Sequence, residues 1–243
     1  MEAPKSKELS SRSKSSKSSS SADKDKSKTH KLALKGSSKM VSEFFEYSIN
    51  TILYQRGVYP IEDFSAVKKY GLNMLVTSDD QVKAYIKKIM SQLKNWMVGQ
   101  KISKLVIVIT SKETGEHIER WQFNVQINKS ASSKSSKKPI DKENAEPETT
   151  EAPPAETPLT EEDIQGQIRA LFRQITASVT FLPELTEPCT FNVLVYADAD
   201  SDVPIEWGDS DAKEIEGGEK VQLRSFSTSN HRVDTMVSYK MGS

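Results

Sequence analysis

Cys189, three histidines and a run of alternating aspartates are the residues of this 243-residue chain best suited to chemistry. A cysteine or serine nucleophile needs an imidazole within hydrogen-bond reach to take its proton. His30 lies at the edge of a Ser/Lys-rich tail, which leaves His117 and His231 as candidate bases for Cys189 or a serine in a small hydrolase. Neither histidine sits in a local catalytic signature, and Cys189 reads better as a small buried residue at a strand start. Asp198, Asp200 and Asp202 alternate as in a calcium loop, but the sixth position is Val203 where the sharp turn needs glycine, and the twelfth is Asp209 rather than Glu. A solvated acidic turn is the better reading. No phosphate-cradling glycine loop and no paired Cys or His spacing for zinc occurs, so no catalytic residue, no metal ligand and no cofactor is assigned.

Composition directs attention away from catalysis. At 35% hydrophobic and 28% charged, part of the chain cannot bury enough apolar surface to fold. Lys and Arg together number 34, as do Asp and Glu, so net charge gives no argument for a nucleic-acid or acidic-membrane partner. Residues 1–39 are locally basic, with eleven Lys or Arg against Glu2, Glu8, Asp23 and Asp25. Such a tail suits a localisation signal, a phosphorylation-tunable arm, a weak nucleic-acid contact or simple solubilisation. A single cysteine, with no apolar leader at the start, points to a reducing compartment, cytosol or nucleus. No apolar window is long enough for a membrane helix. Asn128, Lys129 and Ser130 match a glycosylation pattern that is chance in that setting.

The elements that would position any site lie between two polar tracts. Residues 1–30 and 129–159 are rich in Ser, Lys, Pro and Glu and are expected to be disordered, the second as a surface loop. The folded part is expected to span residues 31–243. Met40, Val41, Phe44, Phe45, Ile49, Ile52 and Leu53 make one apolar helical face, ended by Gly57 and Pro60. Residues 64–68 and 72–76 flank a Lys69-Tyr70-Gly71 turn and predict a hairpin. Asp79 or Asp80 caps a second helix that buries Val82, Ile86, Ile89, Leu93 and Trp96 and ends at Gly99. Residues 104–110 (KLVIVIT) are continuously apolar, as a central strand covered on both faces would be. Trp121, Phe123, Val125 and Ile127 alternate with Gln122, Asn124, Gln126 and Asn128, predicting a partner strand with one buried and one wet face.

Thr160 and Asp163 open a third helix as a capping box, followed by Ile164, Ile168, Leu171, Phe172, Ile175 and Val179, with Pro183 as the stop. Its opposite face carries Ala170, Arg173 and Ala177 with Gln174 at the border, and this low-relief surface suits a docking helix as well as it suits solvent. Residues 191–197 (FNVLVYA) read as a third long strand. From Asp198 on, acidic turns, Trp207 and Gly217-Gly218 lead into two irregular strand-prone runs, residues 221–229 and 233–239.

Five separated segments, EFFEYSINTILYQRGVYP from Glu43, KYGLNMLVT from Lys69, ERWQF from Glu119, RQITASVTFLP from Arg173 and LRSFST from Leu223, closely resemble the HORMA family in its small, single-domain spindle-checkpoint members. The resemblance spans residues 32–239, interrupted by the 129–159 loop; both that loop and the N-terminal tail are longer than is usual in the family. It implies an α+β fold, an antiparallel central sheet backed by three helices, with residues 198–243 as a mobile C-terminal safety belt. In an open form the belt pairs with the strand holding Phe191, Val193, Leu194, Val195 and Tyr196. In a closed form it crosses to the other side of the sheet and frees that edge for a partner peptide. Belt residues are then Trp207, Leu223, Arg224, Phe226, His231, Val237 and Tyr239, with Thr235 and Ser238 as plausible phosphorylation sites. Dimerisation of open with closed copies is implied at Arg173, Gln174 and Phe181.

The implied partners are a checkpoint coiled-coil scaffold, the activator subunit of the anaphase-promoting complex, whose inhibition delays anaphase, and a remodelling AAA ATPase. The implied setting is the nucleus and the mitotic kinetochore, with the cytoplasm also open; no membrane and no direct nucleic-acid partner is expected. A HORMA adaptor in DNA repair or meiotic chromosome organisation is the alternative, separable by which partner's motif is captured.

Overall fold

The computed structural model describes residues 20–128 and 159–241, with side chains from Ala33 onward. Most of the two stretches expected to be disordered falls outside these residues. The described residues from Ala33 onward form one compact unit.

The first helix, α1 (Ser20–Gln55), begins well before the Met40 start read from its apolar face. Ser, Lys, Asp and Ala are all compatible with a helix, so the absence of an apolar stripe does not end one. Burial begins at Ser37 and Ser38 and continues through Val41, Phe44, Phe45, Ile49, Ile52 and Leu53. Gly57 closes the helix in the left-handed region at φ 63°, while the Val58 amide donates to the Leu53 carbonyl. The hairpin β1 (Phe64–Lys69) and β2 (Leu72–Thr77) turns through Tyr70 and Gly71, both at positive φ as a tight primed turn requires. Asn50 anchors it to α1 by accepting the Thr77 amide at 2.8 Å.

Helix α2 (Asp80–Val98) starts where the Asp79 carboxylate accepts the Val82 amide, and it buries the expected stripe plus Met90 and Met97. Helix α3 (Glu161–Ala177) opens on the Thr160–Asp163 capping box. It ends earlier than expected, because a single 3-10 turn over Ser178–Thr180 replaces its last turn. Val179, expected on the buried face, is thereby rotated into partial exposure. Among the described residues no helix is long and apolar enough to cross a membrane.

Strands β3 (Ile102–Ser111), β4 (His117–Ile127), β5 (Cys189–Ala197), β6 (Glu219–Ser227) and β7 (His231–Tyr239) form one antiparallel sheet in the order β5-β3-β4-β7-β6. The C-terminal hairpin therefore lies on β4, with Val237 opposite Trp121 and Thr235 opposite Phe123. This is the arrangement that the family resemblance describes as closed. Leu105, Ile107 and Ile109 join the helix-side core, whereas Val106 and Val108, equally buried, lie on the other face of β3, so this strand is covered on both sides as its sequence predicts. Phe44 knits the helix side together, its ring 5.7 Å from Phe123, 5.2 Å from Phe172 and 4.7 Å from Phe226.

Candidate functional site

A sheet edge is chemically active in its own right, since its backbone N–H and C=O groups look for a strand to pair with. One side of β5 pairs with β3 from Ile102↔Ala197 to Ser111↔Cys189, and among the described residues its other side pairs with no strand. Residues 198–218 rise over that side and then cross to β6, leaving a channel of about 350 Å³. Val193, Leu194, Val195 and Tyr196 line its strand wall, Trp96 comes from α2, and the crossing segment contributes Val203 and Trp207. Of the expected edge residues Phe191 is buried against the helices, where its ring meets Tyr59 and Tyr85 edge-on.

Specific contacts pin the start of the crossing segment. The Asp198 amide donates to the Lys101 carbonyl at 2.8 Å, and the Lys101 ammonium pairs with Asp200, holding that exposed carboxyl below its usual range. The Trp96 indole N–H donates to the Asp202 carbonyl at 2.9 Å, and its ring meets Trp207 edge-on at 5.0 Å. The aspartates read as a failed calcium loop thus belong to a tethered turn. Among the described residues no cluster of His, Cys, Asp or Glu could hold a metal.

The C-terminal hairpin is held from three sides. Leu223, Phe226 and Val237 are buried in the core. The Arg224 amide donates to Gln174 Oε1 at 2.7 Å and the Ser227 amide to Gln167 Oε1 at 2.9 Å, two bonds that sequence reading missed because they link segments fifty and sixty positions apart. At the hairpin's turn His231 Nδ1 and Thr228 Oγ1 each lie 2.5 Å from Ser37 Oγ. At its far end Tyr239 lies 6.1 Å from the half-exposed Phe181 ring. Beside it, Glu119 pairs with Arg56 at 2.8 Å; burial pushes this carboxyl up against the pull of Arg56 and the Trp121 N–H.

The catalytic candidates do not assemble into a reaction centre. The Cys189 thiol donates to the Glu187 carbonyl, and burial raises its pKa, the reverse of an activated thiol. His117 bonds Thr110 Oγ1. His231 does meet a serine, but Ser37 and the ring are 4% and 1% exposed, and the hydrogen bonds around the ring hold no carboxylate to orient it. That contact clips α1 to the hairpin. Thr235 and Ser238, the suggested phosphorylation positions, are fully buried in β7, so a kinase reaches them only when β7 leaves the sheet. Arg173 stands exposed on α3, and Gln174 is partly occupied by its bond to β6.

A HORMA domain profile matches residues 37–231. The mitotic spindle checkpoint component mad2 of Schizosaccharomyces pombe is 55% identical over 209 residues, covering 86% of this chain and 94% of the relative. A chain in the crystal structure of a mitotic checkpoint complex is 53% identical at a TM-score of 0.71, covering 85% of this chain and 99% of that one. C. elegans HTP-1, in its structure bound to HTP-3 motif-1, shares the fold at 14% identity and a TM-score of 0.62, over 85% of this chain and 91% of its own. The chain belongs to the HORMA family. Its sequence places it beside the spindle-checkpoint proteins of that family.

Burial holds the His231 imidazole below its ordinary pKa of 6.5. Once the hairpin detaches, the ring is wetted and binds protons more readily, so docking is at full strength above about pH 6.5 and weakens as the pH falls below it. Amide exchange over residues 219–239 should therefore quicken between about pH 7.5 and about pH 5.5, after correction for intrinsic rates, by more in the native chain than in His231→Gln. Equal acceleration in the two chains would show that the ring does not contribute.

Proposed function

We propose that this chain is a spindle assembly checkpoint switch that captures a short extended segment of a partner as an added strand on β5 and holds it beneath residues 198–218. The observation that carries the reading is the pairing-competent edge of β5 lying inside a channel closed by a tethered segment. A guest strand gains main-chain hydrogen bonds whatever its sequence, and pockets for alternate side chains add selectivity. Val193, Leu194, Val195 and Tyr196 would supply the strand wall, and Phe191 would brace it from the core.

The proposed guests are motifs of the checkpoint's coiled-coil scaffold and of the activator subunit of the anaphase-promoting complex, the latter inhibited by capture. A remodelling AAA ATPase would reopen the clamp, and the site of action would be the nucleus and the mitotic kinetochore. The chemistry is binding and release, without turnover. Moving such a switch from one form to the other, 1:99 to 99:1, takes about 5.5 kcal/mol of differential binding, within reach of an added strand.

The proposed self-association face consists of Arg173, Gln174 and Phe181. Its dependence on the belt has a physical basis: Gln174 caps the Arg224 amide and Phe181 touches Tyr239, so two of the three residues feel where the hairpin lies. A hairpin paired with β5 instead would release both contacts and present a different surface to a second copy.

Removing residues 234–243 deletes most of β7 and should abolish stable capture of a scaffold-motif peptide by calorimetry, in a chain whose helical circular dichroism persists; undiminished affinity would refute the clamp. Arg173→Glu should weaken self-association on ultracentrifugation, raising its dissociation constant by roughly tenfold or more, as like-charge or unpaired contacts do at interfaces, and leave peptide affinity within about twofold. Unchanged self-association would remove Arg173 from that face.

A further inference from the structure

We propose that Arg120 and Glu214 form the lock that sets how long the clamp keeps its guest, with Arg120 as a positioning residue beneath the crossing segment. The inference rests on the clamp reading above. Arg120 lies on the β4 face away from the helices, on the side whose alternation predicts contact with water. Its side chain is 0% exposed.

Three groups meet the guanidinium. Nη1 donates to Gln122 Oε1 at 2.6 Å on the same strand. Nε donates to the Ala212 carbonyl at 3.1 Å, and Nη2 lies 3.1 Å from Glu214 Oε1, without the alignment of a good hydrogen bond. Two of the three partners thus belong to the segment that must lift for a guest to enter or leave. Just beyond them that segment lies tight against the end of β7: a Cβ at Gly218 would run into Ile215 and stand 2.7 Å from the Tyr239 carbonyl oxygen. Ala212, Glu214 and Gly218 therefore fix one path across the sheet.

A guanidinium cannot shed its proton, so a buried one must be paired or wetted. With the segment in place, water is excluded and the segment supplies a carbonyl and a carboxylate. With the segment lifted, water solvates the group. The pair's attraction and the cost of drying it are of similar size, so the pair does little for closure compared with an apolar substitute, but losing one partner leaves a stranded charge. This asymmetry marks a lock, as opposed to a surface ion pair, and Glu214, at 53% side-chain exposure, is the half that water or a remodeller can reach.

The test uses the full chain loaded with a fluorescein-labelled scaffold-motif peptide and chased with unlabelled peptide. Glu214→Gln is expected to speed release by roughly 10- to 100-fold, the range for leaving a buried charged group without its partner. Arg120→Met added to Glu214→Gln should recover most of that factor, because no charge is then left to strand. Release unchanged in Glu214→Gln, or a double variant as fast as the single, overturns the lock.

Amide exchange over residues 211–218 in the guest-free chain gives a second reading, quickened in Glu214→Gln and slowed again in the double variant. That pattern in a chain that captures no peptide would sink the clamp and leave Arg120 and Glu214 only as a fastening of the crossing segment. Its absence would sink the lock alone.

Discussion

The C-terminal hairpin can pair with only one edge of the β5-β3-β4 core at a time. In this structure β7 covers β4, and the cost of that choice is an uncovered β5. A bare strand edge invites pairing with other chains, and proteins ordinarily blunt one with charges, bulges or a covering loop. Here the cover is a loop that stands off the strand and leaves a channel, so the same constraint that exposes the edge also builds a place for a guest.

The loop can do this because each of its ends is fastened to a different part of the fold. Trp96 and Lys101 hold its start near β5, while Arg120 receives Ala212 and Glu214 midway across the sheet. Beyond it, Phe226 drives into the ring cluster around Phe44, and Ser37 clips the hairpin's turn to α1. Moving the hairpin would break a ladder of backbone bonds together with these contacts, so any second position would be separated from this one by a barrier.

Much of this architecture is legible in local sequence, because local forces decide it. The Asp79 cap, the Thr160–Asp163 box and the two-faced burial of residues 104–110 follow from neighbours a few positions away. What escapes sequence reading is decided at long range. Arg120 and Gln122 occupy the wet phase of an alternating strand, yet both are buried, because a segment ninety positions later crosses over them. Gln174 sits at the border of a face that suits solvent or a helix equally well, and its actual use is a backbone amide on β6. The strand edge and the belt as a proposed site come from the resemblance to a known family; the side chains that fasten residues 198–239 to the fold carry no local signal beyond the oddity of Glu119 and Arg120 beside Trp121 on a core strand.

The central claim is that β5 keeps an edge for a foreign strand while the hairpin lies on β4. Its most direct test is residue-resolved amide exchange over Phe191, Val193, Leu194, Val195 and Tyr196, with and without a scaffold-motif peptide. The account predicts that the amides facing away from β3 exchange readily in the free chain and become strongly protected with the peptide, while β7 stays protected throughout. Outward amides already protected without a guest, or left unchanged by one, would contradict it.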